Sequence, residues 1–307
     1  MSIKIICPTC NNTLDVGISD NDMIVCAICG EDFPIIKDTP ILLSKNNELF
    51  KKETALILSS SGFNIGFSAK ISKYLPAITL NNFQDNAMDS FIDSLDSVDK
   101  CLIIGAGHDH NLKLRLVHNG NKVTVTDVVA SPIVDYVCDC TNLPFSDDQF
   151  DAVFIIAVLE HVVEPQSAVS EISRVLKYDG KVFSGIPFMQ QVHMGCYDFT
   201  RYTLLGHRWL FNSFEMVELG PSSGAGSALL WSITSFFRSF TSRKFSTFII
   251  KGVVRILLFW IKYFDLLQKN CSDFALGSYF VGINKKRAVL NKGDLIDLYD
   301  KTKLIRK

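Results

Sequence analysis

Between Cys101 and Leu219 the chain alternates short apolar runs with helical patterns. Cys101-Leu-Ile-Ile, Lys122-Val-Thr-Val-Thr, Asp151-Ala-Val-Phe-Ile-Ile-Ala, Lys181-Val-Phe-Ser-Gly-Ile and Phe214-Glu-Met-Val-Glu-Leu are short, apolar and rich in branched or aromatic residues, which predicts strands. Among the helical patterns is Gln166 to Lys177, with Ala168, Ile172, Val175 and Leu176 on one face and Asp179-Gly180 as its stop. Strands that alternate with helices predict an α/β domain built on a mostly parallel sheet. A helix over Phe83 to Leu95, with Phe83, Ala87, Phe91 and Leu95 at one-turn spacing, is expected to cover one edge of it. Ser278-Tyr-Phe-Val-Gly-Ile reads as a last strand that returns to the sheet edge.

The stretch from Leu229 to Leu267 has a different pattern. It is rich in Phe, Ile, Leu and Trp, yet Arg238, Arg243, Lys244, Lys251, Arg255 and Lys262 interrupt it. A spanning helix needs roughly 20 nearly uncharged residues, so an amphipathic helical hairpin is expected instead. Such a hairpin is expected to be a lid or dimer contact with its cationic face in solvent, because helical apolar stripes usually pack into a core; a helix lying on an anionic membrane is the alternative.

The chain has 307 residues, enough for one full α/β core and one small accessory. Its 31 basic and 32 acidic residues leave no global field to recruit nucleic acid. Met1 to Pro8 lack the apolar stretch of a secretory signal, so the expected address is cytoplasmic, with the inner face of the membrane as the alternative if the hairpin binds lipid.

Four of the nine cysteines form two tight pairs, Cys7-Pro-Thr-Cys10 and Cys26-Ala-Ile-Cys29, separated by fifteen residues (11–25). That spacing brings four thiolates together around one tetrahedral Zn²⁺ with no open position, so the metal is expected to be structural. Together with Phe33-Pro34-Ile35 and Thr39-Pro40-Ile41-Leu42-Leu43, the pairs resemble the small zinc-ribbon family that includes methyltransferase activator subunits. The resemblance implies a structural ribbon that makes protein contacts, here a docking or lid element fused to its own enzyme.

Gly105-Ala106-Gly107 follows the first strand of the α/β domain as a turn where backbone N–H groups can approach a ligand. Asp127 ends the next strand, about twenty residues on, where a carboxylate can accept ribose hydroxyls; a helix cap is the plainer reading. Asp139 in Cys138-Asp-Cys140-Thr-Asn-Leu-Pro is a second acidic point, with an Asx turn as its plainer reading. In this order, followed by Asp151-Ala-Val-Phe, Leu159-Glu-His-Val and Glu171 to Gly180, the residues resemble the class I S-adenosylmethionine (SAM) dependent methyltransferases.

The resemblance implies a Rossmann-like, seven-stranded sheet, with Gly105, Ala106 and Gly107 beside the methionine moiety, Asp127 and Val128 at the ribose, Asp139 and Cys140 at the adenine, and Ala157 near the methionine end. One departure stands out: the family's acid two positions before the first glycine is Ile103 here, and His108, Asp109 or His110 would have to replace it.

After the fifth strand, Ile186 to Thr203 holds His193, Asp198, Arg201 and Tyr202 within ten residues. The loop resembles the substrate loop of a methyltransferase subgroup associated with bacterial surface glycan biosynthesis. That resemblance implies a small-molecule or glycan acceptor, His193 as general base and Arg201 as a clamp for an acidic group. A structural Asp198–Arg201 pair is the alternative. His161 is a lesser catalytic candidate, while His118 and His207 read as surface or core residues.

The expected organisation is therefore a zinc ribbon over 1–45, a linker and helical cover over 46–100, the methyltransferase domain over 101–285 with a helical insertion at 221–277, and a tail over 286–307. Two rivals stay open. A NAD-type oxidoreductase lacks its third glycine here, and a degenerate fold would leave the ribbon as an interaction module.

Overall fold

A computed structural model of the chain describes residues 3–15, 23–52, 77, 79–80, 82–107, 110–268, 272–287 and 290–304. His108 and Asp109, named above as substitutes for the missing acid, lie outside them.

The N-terminal segment forms a small antiparallel sheet of β1 (Met23–Val25), β2 (Asp32–Ile36) and β3 (Thr39–Pro40). Lys37 and Asp38 both take positive φ, 47° and 66°, giving the tight two-residue loop that joins β2 to β3. The large sheet contains β4 (Lys100–Ile104), β5 (Lys122–Asp127), β6 (Tyr136–Val137), β7 (Phe150–Ile156), β8 (Leu176–Pro187), β9 (Phe214–Ser223) and β10 (Gly277–Asn284). Its order is β6-β5-β4-β7-β8-β10-β9, parallel from β6 through β8. The chain leaves β4 to one side and returns on the other at β7, the switch point where doubly wound sheets open a crevice.

The last strand departs from expectation. β10 runs antiparallel between β8 and β9 and leaves β9 at the edge. The physical reason is burial: Ser278 to Gly282 are all buried, on both faces, as an interior strand requires.

Helices α1 (Asn82–Asp93), α2 (His110–His118), α3 (Pro165–Val175) and α4 (Leu204–Leu210) accompany the sheet. Helix α1 covers it with Ala87, Met88, Phe91 and Ile92, and Phe91 meets Phe154 and Phe183 edge-on. Helix α3 stops at Val175, two residues before the expected end, because Leu176 already pairs with Phe150. Asp179, at φ 62°, then turns the irregular stretch that precedes Lys181.

The expected hairpin is present between β9 and β10 as α5 (Ala225–Arg238), α6 (Lys244–Leu258) and a 3₁₀ segment, Phe259–Leu267. Its polar groups are not all in solvent. Asp265 is fully buried and accepts the Gly226 and Ser227 amides at 2.6 and 3.2 Å, capping α5 at its positive end. Lys262 is buried too and donates to the Ala77 carbonyl at 2.7 Å. The outer face exposes Phe240, Leu257, Trp260, Phe264 and Leu267. Among the described residues no helix is long and apolar enough to cross a membrane. The C-terminal residues form α7 (Lys292–Leu304).

Ribbon and sheet share one core. Ile5, Leu14, Ile24, Phe33 and Leu42 join Leu143, Phe145 and Phe150 in a single buried cluster. The seam is also hydrogen-bonded, with the Ile6 amide donating to Pro144 and the Leu42 amide to Val137, at 3.0 and 2.8 Å.

His207 lies wholly inside this fold, with Nε2 and Nδ1 each 2.9 Å from a serine hydroxyl, Ser184 and Ser278. Phe211 and Phe280 flank the ring, and the nearest charge in sequence is the buried Arg208. Burial pushes its pKa down to about 3. In the unfolded chain an imidazole takes a proton below about pH 6.5, so stability falls as pH drops through this window, by up to about 1.4 kcal/mol per pH unit. Denaturant titrations of wild type and His207→Asn at pH 6.5 and pH 5 check this, because the titrations of other groups cancel in the difference. The wild-type advantage is expected to shrink by about 2 kcal/mol; a constant advantage would rule it out.

Candidate functional site

A cavity of about 560 Å³ opens at the carboxyl ends of β4, β5 and β7. Its walls include Ile104 at the end of β4 with Gly105 and Gly107 after it, Thr126 and Asp127 at the end of β5 with Val128 to Ser131 after it, and Ala157 and Val158 after β7. Such a volume suits a nucleoside-sized ligand.

The turn after β4 is shaped by backbone conformations that suit glycine. Gly105 has φ 71° and Gly107 φ 55°. The Gly105 amide donates to the Thr126 carbonyl at 2.8 Å, tying the turn to β5. Asp127 completes it: Oδ2 accepts the Gly107 amide at 2.9 Å and Oδ1 the Val129 amide at 3.1 Å. Carboxylate oxygens have further lone pairs, so Asp127 holds the turn and can still accept ligand hydroxyls from the cavity wall. Ala157, at φ 54°, is a strained non-glycine residue in the opposite wall.

The other nominated cofactor residues divide. Gly105, Gly107, Asp127, Val128, Cys140 and Ala157 line the cavity, whereas Ala106 and Asp139 are absent from its lining. Asp139 makes the Asx turn: Oδ1 accepts from the Thr141 amide and hydroxyl at 2.9 and 2.8 Å, and Oδ2 from Asn47 Nδ2 at 2.7 Å. Ile103 is buried in the core beside Cys101 and Val125, not in the cavity wall. Sequence reasoning missed Phe50 and Lys51, which the linker brings into the lining, with Phe50 stacked 6.0 Å from Tyr197. Their contact with the site is long-range and leaves no local signature.

At the far end, His161 and His193 face each other with ring centres 4.9 Å apart, both in the cavity lining. His161 Nδ1 is 2.7 Å from the Tyr197 carbonyl, which only accepts, so Nδ1 carries the proton and Nε2 keeps its lone pair. His193 Nδ1 lies 3.3 Å from the Gln191 carbonyl, 3.4 Å from Asp198 Oδ2 and 3.5 Å from Arg201 Nη2, so two acceptors and one donor meet it. Burial lowers the His161 pKa.

Arg201 corrects the proposed clamp. Nε donates to the Gln190 carbonyl at 2.8 Å, Nη1 to Asp198 Oδ1 and the Thr200 carbonyl, and Nη2 to Asp198 Oδ2 and the Gln191 carbonyl. Those contacts engage all five N–H donors of a guanidinium, so none is left for an acceptor. The Arg201 guanidinium also holds Asp198 well below the usual carboxylate range. Asp198 and Arg201 therefore brace the loop that presents His193. Tyr202, half-buried against the main core, is likewise absent from the cavity lining.

Glu160 was not singled out by the sequence beyond its place in Leu159-Glu-His161. It is fully buried, and among the described residues neither carboxylate oxygen has a hydrogen-bond partner. Burial pushes its pKa up to about 7.

The four paired cysteines meet at one point. Their sulfurs lie within 4.8 Å of one another, with Cys7–Cys29 at 3.7 Å and Cys10–Cys26 at 3.6 Å. A tetrahedron with Zn–S bonds near 2.3 Å places its sulfurs about 3.8 Å apart. Both pairs sit in equivalent turns: the Asn11 amide returns to the Cys7 carbonyl, the Gly30 amide to the Cys26 carbonyl, and Asn11 and Gly30 have φ 58° and 71°. The donor set and its spacing suit zinc.

Fold and cavity define a doubly wound α/β protein with a nucleoside-sized site at its switch point. Comparison with known proteins adds the chemistry: residues 102–184 match the protein family described as "Methyltransferase domain". Demethylmenaquinone methyltransferase of Clavibacter sepedonicus is 50% identical over 50 residues, 16% of this chain and 20% of that protein. The corresponding protein of Paenarthrobacter aurescens is 46% identical over 52 residues, 17% of this chain and 21% of its own. The chain thus spans about a fifth of the length of these curated relatives. Among solved structures, phosphoethanolamine N-methyltransferase 2 of Haemonchus contortus with S-adenosyl-L-methionine aligns at TM-score 0.46 and 16% identity, over 66% of this chain and 52% of that one. The [4+2]-cyclase SpnF aligns at 0.43 and 16%, over 66% and 80%.

Proposed function

We propose that the chain is a SAM-dependent methyltransferase whose cofactor occupies the cavity between Gly105, Asp127 and Ala157. Its acceptor is a hydroxyl or similar nucleophile on a sugar or glycan-linked intermediate, entering past His161 and His193. The observation that carries this reading is Asp127: it ends β5 in the cavity wall, organises the glycine turn through the Gly107 amide, and lies inside the matched methyltransferase segment. SAM supplies an electrophilic methyl group on a sulfonium. The chain's own task is to align the acceptor with that carbon and to take up the acceptor's proton. Zn²⁺ on Cys7, Cys10, Cys26 and Cys29 holds the ribbon against β6.

Calorimetric titration of the zinc-loaded protein with SAM and with S-adenosylhomocysteine tests the reading. Micromolar binding is expected for both, weakened about 30- to 100-fold in Asp127→Ala, the equivalent of roughly 2–3 kcal/mol. If neither compound binds, or if NAD binds in their place, the reading fails.

A further inference from the structure

Among the described residues, Glu160 is a buried group whose place the site so far leaves unexplained. An ionised carboxylate without hydrogen bonds is costly to bury, and a protonated one still needs a partner for its O–H. Both Glu160 oxygens lack one. Oε1 lies 3.6 Å from His161 Nε2 and 3.8 Å from His193 Nε2. Both distances are too long for hydrogen bonds. His161 Nε2 presents a lone pair, because its ring carries the proton on Nδ1, and His193 Nε2 does the same when Nδ1 donates to the Gln191 carbonyl or to Asp198. Three atoms able to ligate a cation therefore gather at one point.

We infer that Glu160, His161 and His193 form a binding site for one divalent transition-metal ion of the zinc class, separate from the four-cysteine site. The three donor atoms lie within 4.8 Å of one another. Metal–nitrogen and metal–oxygen bonds near 2.1 Å place neighbouring donors about 3.4 Å apart in a tetrahedron, so the two Glu160–histidine distances need contract by only a few tenths of an ångström. Two imidazoles with one carboxylate are a donor set for zinc, iron or cobalt and leave coordination positions open.

The outer contacts are those that orient metal-bound histidines: a carbonyl on His161 Nδ1, and on His193 Nδ1 the Asp198 carboxylate fixed by Arg201. This gives the Asp198–Arg201 pair a purpose that its saturation as a clamp left open. His161 and His193 line the cavity, which gives the open positions their route to a ligand. A small oxygen ligand bound there loses its proton to cavity water more readily, since the cation stabilises the resulting anion. Resting on the methyltransferase reading, that ligand is the acceptor's oxygen. His193 then acts as a metal ligand in place of a general base.

Cobalt titration of the metal-stripped full chain tests the site. Cobalt at four thiolates gives intense charge-transfer bands, whereas cobalt at nitrogen and oxygen gives only weak d–d bands, so one spectrum separates the two sites. Wild type is expected to take up about two equivalents, one of each kind. Glu160→Gln and His193→Ala should each lose the nitrogen–oxygen signal and keep the thiolate bands, which also report an intact ribbon. SAM binding is measured on the same samples. A wild type that shows only the thiolate signal overturns the site, as does retention of the second equivalent in both variants. If the metal binds but SAM does not, the methyltransferase reading fails while the metal site stands.

Discussion

Replacing Cys26 with serine is expected to remove the thiolate-bound metal and lower the thermal midpoint of the whole chain by about 10 °C or more. The first half follows from coordination chemistry, since a serine hydroxyl is a poor ligand for a site built on four thiolates. The second follows from packing. Cys7 and Cys26 are buried in the cluster that also contains Leu143, Phe145 and Phe150 beneath the large sheet. A ribbon that loses its metal loses folding energy on the order of 10 kcal/mol, against total domain stabilities of about 5–15. Only part of it reaches the sheet through the shared core. Even about 4 kcal/mol shifts the midpoint by roughly 10 °C in a domain of this size. Metal content by mass spectrometry and calorimetric unfolding read the two effects separately. Cys196→Ser, at an exposed position away from the ribbon, is the control and should change neither. Full retention of the thiolate-bound metal in Cys26→Ser would remove the four-cysteine assignment, and metal loss without a change in midpoint would make the ribbon an independent unit.

How much of this was legible in the sequence depended on whether a feature is local. The meeting of the four cysteines was readable because two Cys-x-x-Cys turns carry their geometry in their spacing, and the α/β sheet because strand-length apolar runs alternate with helical ones. Asp127 was readable for the same reason, as it stands at the end of a strand after a glycine turn. The position of β10 was not: an apolar run states that it is buried, but not between which neighbours. The Lys37–Asp38 turn was hidden because neither residue signals positive φ as Asn-Gly would. Phe50 and Lys51 reach the cavity only through the folded linker. Arg201 looked available because a sequence shows a guanidinium but not the carbonyls that saturate it. Glu160 is the clearest case. Between Leu159 and His161 it looked like part of a motif, and only its burial without partners reveals it as a separate chemical group.

Gly105→Ala is expected to abolish measurable SAM binding, a loss of about 100-fold or more, and to destabilise the domain by about 3 kcal/mol. Two independent terms act there. At φ 71° an alanine pays roughly 1–2 kcal/mol in backbone strain. Its Cβ would also stand 2.2 Å from Val158 Cγ2, an impossible contact. Valine is stiff at χ1, so relief requires the chain after β7 to shift, and Val158 itself forms part of the cavity wall. The neighbouring glycine separates the two terms. A Cβ on Gly107, at φ 55°, would meet nothing within 4 Å, so Gly107→Ala carries the strain without the collision. Its loss should be near 1–2 kcal/mol in stability. The collision has its own test, because Val158→Ala placed in the Gly105→Ala background removes the opposing methyl groups. That double variant should recover most of the lost stability and part of the SAM affinity, retaining only the strain. If it recovers neither, the glycine serves the backbone conformation alone, and the packing of the β4 turn against the β7 wall is not what shapes the cofactor cavity.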